Sequence, residues 1–276
     1  MKIVHRIALR ASESQRKELE ALGVVTPPGD ILPGERDAFV AFDVTEDHPN
    51  WPSLRRLFDQ WKVPDNVRTV FSKSEIKAAD WLKLTSEWYH GYPQPDDGHF
   101  GYLGVTYDLS DYCKKCGIGA RQKAPFQMEG EPRWGRNGIL QLNWVFDEYF
   151  VTPEVWTKVF KAHGVRSRPV TDTTGSELRS VLQLVVEEEV DLHTEGLATE
   201  ACAICGRIKY LPVTRGPFPA LVTRPAREIA RTKEHFGSGG RAFRAILVSK
   251  ALAHALNSEA VRGVSLRPVA KRTDGH

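Results

Sequence analysis

The spacing of apolar residues changes several times along the first third of the chain, and each change predicts an element. Ile3 to Leu9 is a short β-like run, and Ser12 with Gln15 three places later offers a capping box for a helix ending near Gly23. Asp37 to Val44 predicts the next strand. Trp51, Leu54, Leu57, Phe58 and Trp61 then recur at helical spacing, an aromatic stripe that belongs in a core more often than in a partner's groove. Val67 to Phe71 predicts a third strand, after which Ser72 and Glu75 open a helix expected to run to about Leu84. The order β-α-β-α-β-α over residues 1–90 predicts a small α/β sandwich, for which a ferredoxin-like arrangement is one candidate.

Prolines and glycines crowd His90-Gly-Tyr-Pro-Gln-Pro-Asp-Asp-Gly98, so the domain boundary is expected there. Beyond it, residues 91–276 predict a second, mixed α/β domain, which makes the fold class α+β. Leu140, Leu142, Trp144 and Phe146 alternate with Gln141, Asn143, Val145 and Asp147, the pattern of a half-buried strand. Thr152-Pro153-Glu154 supplies an N-cap, a proline at the first helical position and an early acid, and Gly164 stops that helix. Leu178 to Val186 predicts a strand that ends in the solvated edge Glu187-Glu188-Glu189. Ala245 to Val248 predicts another, Ser249 caps a helix through about Leu256, and Val264 to Val269 returns as a strand. Only the tail after about Lys271 is expected to be disordered.

Composition narrows the class without naming a task. With 41% hydrophobic and 26% charged residues among 276, the chain is neither disordered nor collagenous and can bury a core without disulfides. Its 38 basic and 35 acidic residues leave a formal charge of +3, too small to argue for nucleic acid by itself. No run approaches the roughly 18 apolar residues of a membrane span, and the start lacks the apolar stretch of a signal peptide, so a cytoplasmic protein with no membrane association is expected.

The candidate chemistry lies in the cysteines. All four fall in two pairs, Cys113-Lys-Lys-Cys116-Gly117 and Cys202-Ala-Ile-Cys205-Gly206. The spacing lets a tight turn aim both sulfurs at one point, and the following glycine admits the left-handed backbone such a turn needs. Together they supply the four thiolates of a closed structural Zn²⁺ site, in a split form of a zinc ribbon. The stretch 117–201 is then an insertion of roughly 85 residues, against the roughly 15 to 20 of a compact ribbon. Closing a longer loop costs only about 0.6 kcal/mol per doubling, small beside zinc affinity. Three other readings compete: a redox dithiol, two half-sites completed by histidines such as His99 and His193, and paired disulfides. The redox reading needs a helix start at the nucleophilic thiol, which Gly117 and Gly206 disfavour.

Signatures of metalloproteases, serine hydrolases, P-loops and dinucleotide-binding folds are missing from the sequence, which favours a non-enzymatic role. Gly237-Ser238-Gly239-Gly240, after Arg231, Lys233 and His235, is either an anion-binding nest or a plain turn. Basic residues gather around the knuckles: Lys114, Lys115, Arg121, Lys123, Arg133, Arg136, Arg207 and Lys209. With Tyr112, Phe126, Trp134 and Tyr210 they make nucleic acid the alternative partner to another protein.

The duplicated C-x-x-C-G pattern resembles the double-CXXCG motif family, described mainly from myxobacteria. The closing segment Ala245-Ile-Leu-Val-Ser249, a short helix and Gly263-Val264-Ser-Leu-Arg-Pro268-Val269 is similar to the strand-helix-strand ending of that family. Some of its members are immunity proteins that neutralise toxins delivered between sibling cells. The resemblance implies a bacterial, zinc-bearing α/β protein that binds another protein.

Overall fold

Strand β1 (Lys2–Ala11) runs down the middle of a three-stranded antiparallel sheet, between β2 (Ala38–Thr45) and β3 (Asp65–Val70). The computed structural model describes residues 1–27, 29 and 37–271, so the tail expected to be disordered lies outside the described residues. Alternation along β2 buries Ala38, Val40, Phe42 and Val44. Val40, Phe42 and Val44 share a core with Ile7, with Leu19 from α1 (Glu13–Ala21) and with Leu54 and Phe58 from α2 (Trp51–Gln60). Trp51 and Trp61 pack half-buried on the same cluster, so the aromatic stripe is core. The capping box forms as expected: Ser12 Oγ accepts from the Gln15 N–H at 3.3 Å, and the Gln15 side chain accepts from the Ser12 N–H at 3.0 Å. Among the described residues this sheet has three strands, whereas a ferredoxin-like sandwich needs four.

Residues Met1–Lys73 and the distant segment Val213–Pro217 make up the first of two compact units. The segment is tied in where Thr69 Oγ1 donates to the Thr214 carbonyl and accepts from the Gly216 N–H, each at 2.9 Å. Arg215 reaches Glu46 at 2.7 Å, and Glu46 in turn meets Nε2 of the fully buried His5 at 3.0 Å. On its other side the His5 ring faces Asp65 at 2.8 Å. The bond from Arg215 holds the Glu46 carboxyl below its usual range, with His5 assisting, against the opposing effect of burial.

The second unit comprises Ser74–Pro212 and Phe218 onward. In chain order it holds α3 (Lys73–Ala78), β4 (Trp81–Ser86), α4 (Tyr102–Thr106), β5 (Tyr107–Asp108), β6 (Arg121–Gln122), β7 (Ile139–Leu140), β8 (Phe150–Val151) and α5 (Pro153–Val155). There follow β9 (Arg166–Thr171), β10 (Glu177–Val185), β11 (Glu189–Val190), β12 (Thr199–Ala201), β13 (Ile208–Tyr210), β14 (Ile229–Phe236), β15 (Phe243–Ser249), α6 (Lys250–Ser258) and β16 (Val264–Pro268). The main sheet runs β12-β13-β14-β15-β4-β16, with β11 also paired to β14, and a smaller sheet runs β7-β8-β10-β9. Leu84, Ile246, Val248, Leu252, Phe160 and Ile139 anchor one core, and Phe126, Leu140, Phe150 and Val181 a second.

Local caps are where the sequence expects them. Thr152 accepts from the Val155 N–H at 3.2 Å, the helical stretch continues through a π-turn to His163, and Gly164 closes it at φ 73°. Ser249 likewise accepts from the Leu252 N–H at 3.1 Å. Two expectations change. The helix opened at Ser72 stops at Ala78, and Trp81–Ser86 is a strand instead, because Trp81, Leu82 and Leu84 are buried between β15 and β16. The division between units therefore falls at Lys73, ahead of the proline-rich stretch after residue 90. The alternating run Leu140–Asp147 is also not a strand beyond Leu140. Trp144 turns to φ 69° and packs its ring against Tyr92 and Phe100, at 4.6 and 4.8 Å between centroids, so an aromatic cluster replaces the ladder. Among the described residues no helix is long and apolar enough to cross a membrane.

The Glu46 pairing has a pH consequence. A carboxyl whose folded pKa lies below its ordinary 4.5 contributes stability that is full above that pH and is lost as pH falls through the folded value. Glu46→Gln is expected to lower stability at neutral pH and to flatten its decline in acid, as read from melting curves across an acid titration. Parallel wild-type and variant profiles would refute this role.

Candidate metal centre

Each cysteine pair sits in the loop of an antiparallel hairpin. The first lies between β5 and β6, and the second at the tip of the β12–β13 hairpin. The two turns repeat one hydrogen-bond pattern. The Cys113 N–H donates to the Ile118 carbonyl at 2.9 Å and the Gly117 N–H to the Cys113 carbonyl at 2.8 Å; the Cys202 N–H donates to Arg207 and the Gly206 N–H to Cys202, each at 2.9 Å. Gly117 and Gly206 adopt φ 80° and 72°, the left-handed backbone anticipated after each pair. A helix cannot begin there, which removes the support a redox dithiol would need.

The four sulfurs converge on one point. All lie within 4.8 Å of one another, with Cys113 to Cys202 at 3.8 Å and Cys116 to Cys205 at 3.6 Å. A tetrahedron with metal–sulfur bonds of about 2.3 Å has edges of about 3.8 Å, so the group can hold a single metal ion. These separations are far too long for disulfides, and all four thiols are free. Among the described residues only cysteines make up the cluster; neither His99 nor His193 belongs to it. Cys113, Cys116 and Cys202 are buried with Ile118, while Cys205 stays exposed.

Local electrostatics prepare the sulfurs for a cation. The Cys205 and Ile204 N–H groups point at Cys202 and lower its thiol to about 6, and the Cys116 N–H lowers Cys113 in the same way. Burial instead pushes Cys116 up to about 12. Four ionised sulfurs at this spacing repel one another strongly unless a positive charge stands between them.

No protein family, curated protein or solved structure matches this chain. What the centre does is read from its own surroundings.

Arg207, immediately after the second turn, clamps the first. Its guanidinium donates to the Asp111 carbonyl at 2.7 Å and the Ile118 carbonyl at 3.1 Å and pairs with the Asp111 carboxylate. Lys209 is fully buried: its ammonium donates to the carbonyls of Gly239 and Arg241, holding the loop that packs on Gly117. Both residues, candidates for nucleic-acid contact in the sequence, bond internal carbonyls. Lys114, Lys115, Arg121, Lys123, Arg133 and Arg136 are exposed. The aromatic residue Phe126 is buried in the second core, and Trp134 packs half-buried against it. The glycine loop is no open anion nest, because the Gly239 N–H already donates to Glu200 at 3.2 Å.

One polar cluster escaped sequence reading. Buried Glu148 receives Arg231 at 2.8 Å and the Gln183 amide at 2.9 Å, and Gln183 exchanges bonds with Gln122 at 2.8 and 2.9 Å. Burial pushes the Glu148 carboxyl up, only partly countered by Arg231, and Asp147 adds to the rise. Glu148 and Arg231 are 83 positions apart, so only the oddity of charges inside apolar runs could have marked them.

The two glycines separate conformational from steric cost. A Cβ at Gly117 would meet the Gly240 carbonyl oxygen at 2.5 Å, whereas one at Gly206 would meet nothing within 4 Å. Gly206→Ala is expected to cost about 1–2 kcal/mol for its backbone angle. Gly117→Ala should cost a further ~1–3 kcal/mol of overpacking. Equal losses in chemical denaturation would count against this packing.

Proposed function

We propose that this chain is a non-enzymatic, zinc-stabilised binding protein. The observation that carries the reading is the closed set of four sulfurs on Cys113, Cys116, Cys202 and Cys205, at the spacing of a tetrahedral ion. Four thiolates would fill zinc's coordination shell, so the metal would crosslink the two hairpins in a zinc-ribbon-like way and leave no position for substrate. The partner is another protein. Supporting this, the second turn and its flank expose Ile204, Ile208 and Leu211, at 75, 54 and 39% of their surface. Exposed apolar groups along one hairpin fit a protein surface better than phosphates. The likeness to the double-CXXCG family extends the proposal to an immunity-type partner, a toxin protein. Nucleic acid has less support, since Arg207 and Lys209 are committed to internal carbonyls.

Two experiments test the reading. Elemental analysis should find about one zinc per chain, the number a single Cys₄ site holds. Cys205→Ser should lose it and open the 117–201 region to protease. Unchanged zinc and digestion in the variant, or iron in place of zinc, would contradict the assignment. Ile204→Asp should keep its zinc yet fail to retain the host protein that the wild type retains on affinity purification; equal retention by both would overturn the surface.

A further inference from the structure

The second unit contains a cleft of about 1270 Å³, beyond the roughly 300–1,000 Å³ common for small-ligand sites. Its charges do not balance. Every acid in the lining already has a basic partner: Asp111 has Arg207, Glu189 has Arg244, Glu187 has Arg166 and Arg227, and Asp147 and Glu148 share Arg231. By contrast, the side chains of Lys114, Arg121, Arg168 and Arg241 line the cleft with no hydrogen bond or salt bridge among the described residues. A concave surface with surplus positive charge concentrates anions.

Aromatic rings supply the rest of the wall. Phe100 is 47% exposed and stands 4.8 Å from half-buried Trp144, and both border the cleft. Deeper in, the Tyr107 hydroxyl has no partner among the described residues and stays protonated, since burial raises its pKa, with Asp147 and Glu148 adding to the rise. Cations and aromatic rings lining one cleft, with a free hydroxyl donor, match a ligand that carries both a phosphate and a flat ring.

We propose that this cleft binds a nucleotide-sized aromatic phosphate, its phosphates on Arg121, Arg168 and Lys114 and its ring against Phe100 and Trp144. Arg121, Arg168, Phe100 and Trp144 lie outside the cysteine turns, whereas Lys114 sits within the first of them, so the tests rest on the arginines and Phe100. Full-length protein titrated with ADP, adenosine and pyrophosphate, followed by tryptophan fluorescence and calorimetry, tests it. ADP should bind about tenfold or more tightly than either fragment, and the double variant Arg121→Ala/Arg168→Ala should weaken ADP by about tenfold or more. Phe100→Ala should weaken ADP and leave pyrophosphate unchanged. If the double variant melts early, the wild-type salt dependence decides instead: ADP affinity should fall as salt rises. No ADP binding in the millimolar range, adenosine or pyrophosphate binding as tightly as ADP, or affinity indifferent both to the arginines and to salt would overturn the proposal.

Discussion

Four thiol sulfurs gathered within 4.8 Å, three of them on buried cysteines, form a group able to hold one cation. Without one, the protons on the sulfurs must be shared unevenly, with Cys202 and Cys113 favoured as thiolates by backbone N–H groups and Cys116 disfavoured by burial. A soft divalent ion would resolve the conflict by ligating all four at once. Its binding would then close a long loop, because the two turns come from hairpins separated by most of the smaller sheet and its core.

The surroundings of the centre tie the same two turns together. Arg207 spans from one turn to carbonyls of the other, and Gly117 lies so close to Gly240 that no side chain fits between them. Lys209 places its ammonium under the same loop and offsets the cost of its burial with two carbonyl bonds. The cleft takes part of its wall from Gly117 to Arg121 and part from Gly240 to Ala242. The cysteine cluster, the loop and the cleft are therefore neighbours in one unit.

Features written within a few residues were legible in the sequence. The capping box at Ser12, the caps at Thr152 and Ser249, the stop at Gly164 and the two glycine-terminated cysteine turns depend on local hydrogen bonds and backbone angles, and the structure carries each one. Features written by distant partners were not. Trp81–Ser86 continues a helical pattern, yet its neighbours in space are β15 and β16, more than 150 positions away. Nonlocal pairing of this kind overrides propensity. The Leu140–Asp147 run failed for a related reason: its alternation suits a strand, but Trp144 is drawn into a ring cluster with Tyr92 and Phe100. Lys209 and Arg207 looked like surface charges because sequence spacing does not reveal which carbonyls a side chain will meet.

On the proposed reading, a closed metal would stabilise one region and leave recognition to the surfaces around it. The claim on which all of this stands is that two remote turns ligate a single ion through sulfur alone. X-ray absorption at the zinc edge of the purified chain reads that directly. Four sulfur scatterers at about 2.3 Å, with no nitrogen or oxygen in the first shell, is the predicted spectrum. A shell of two sulfurs completed by nitrogen or oxygen would mean that the turns bind separately, and it would contradict the shared centre.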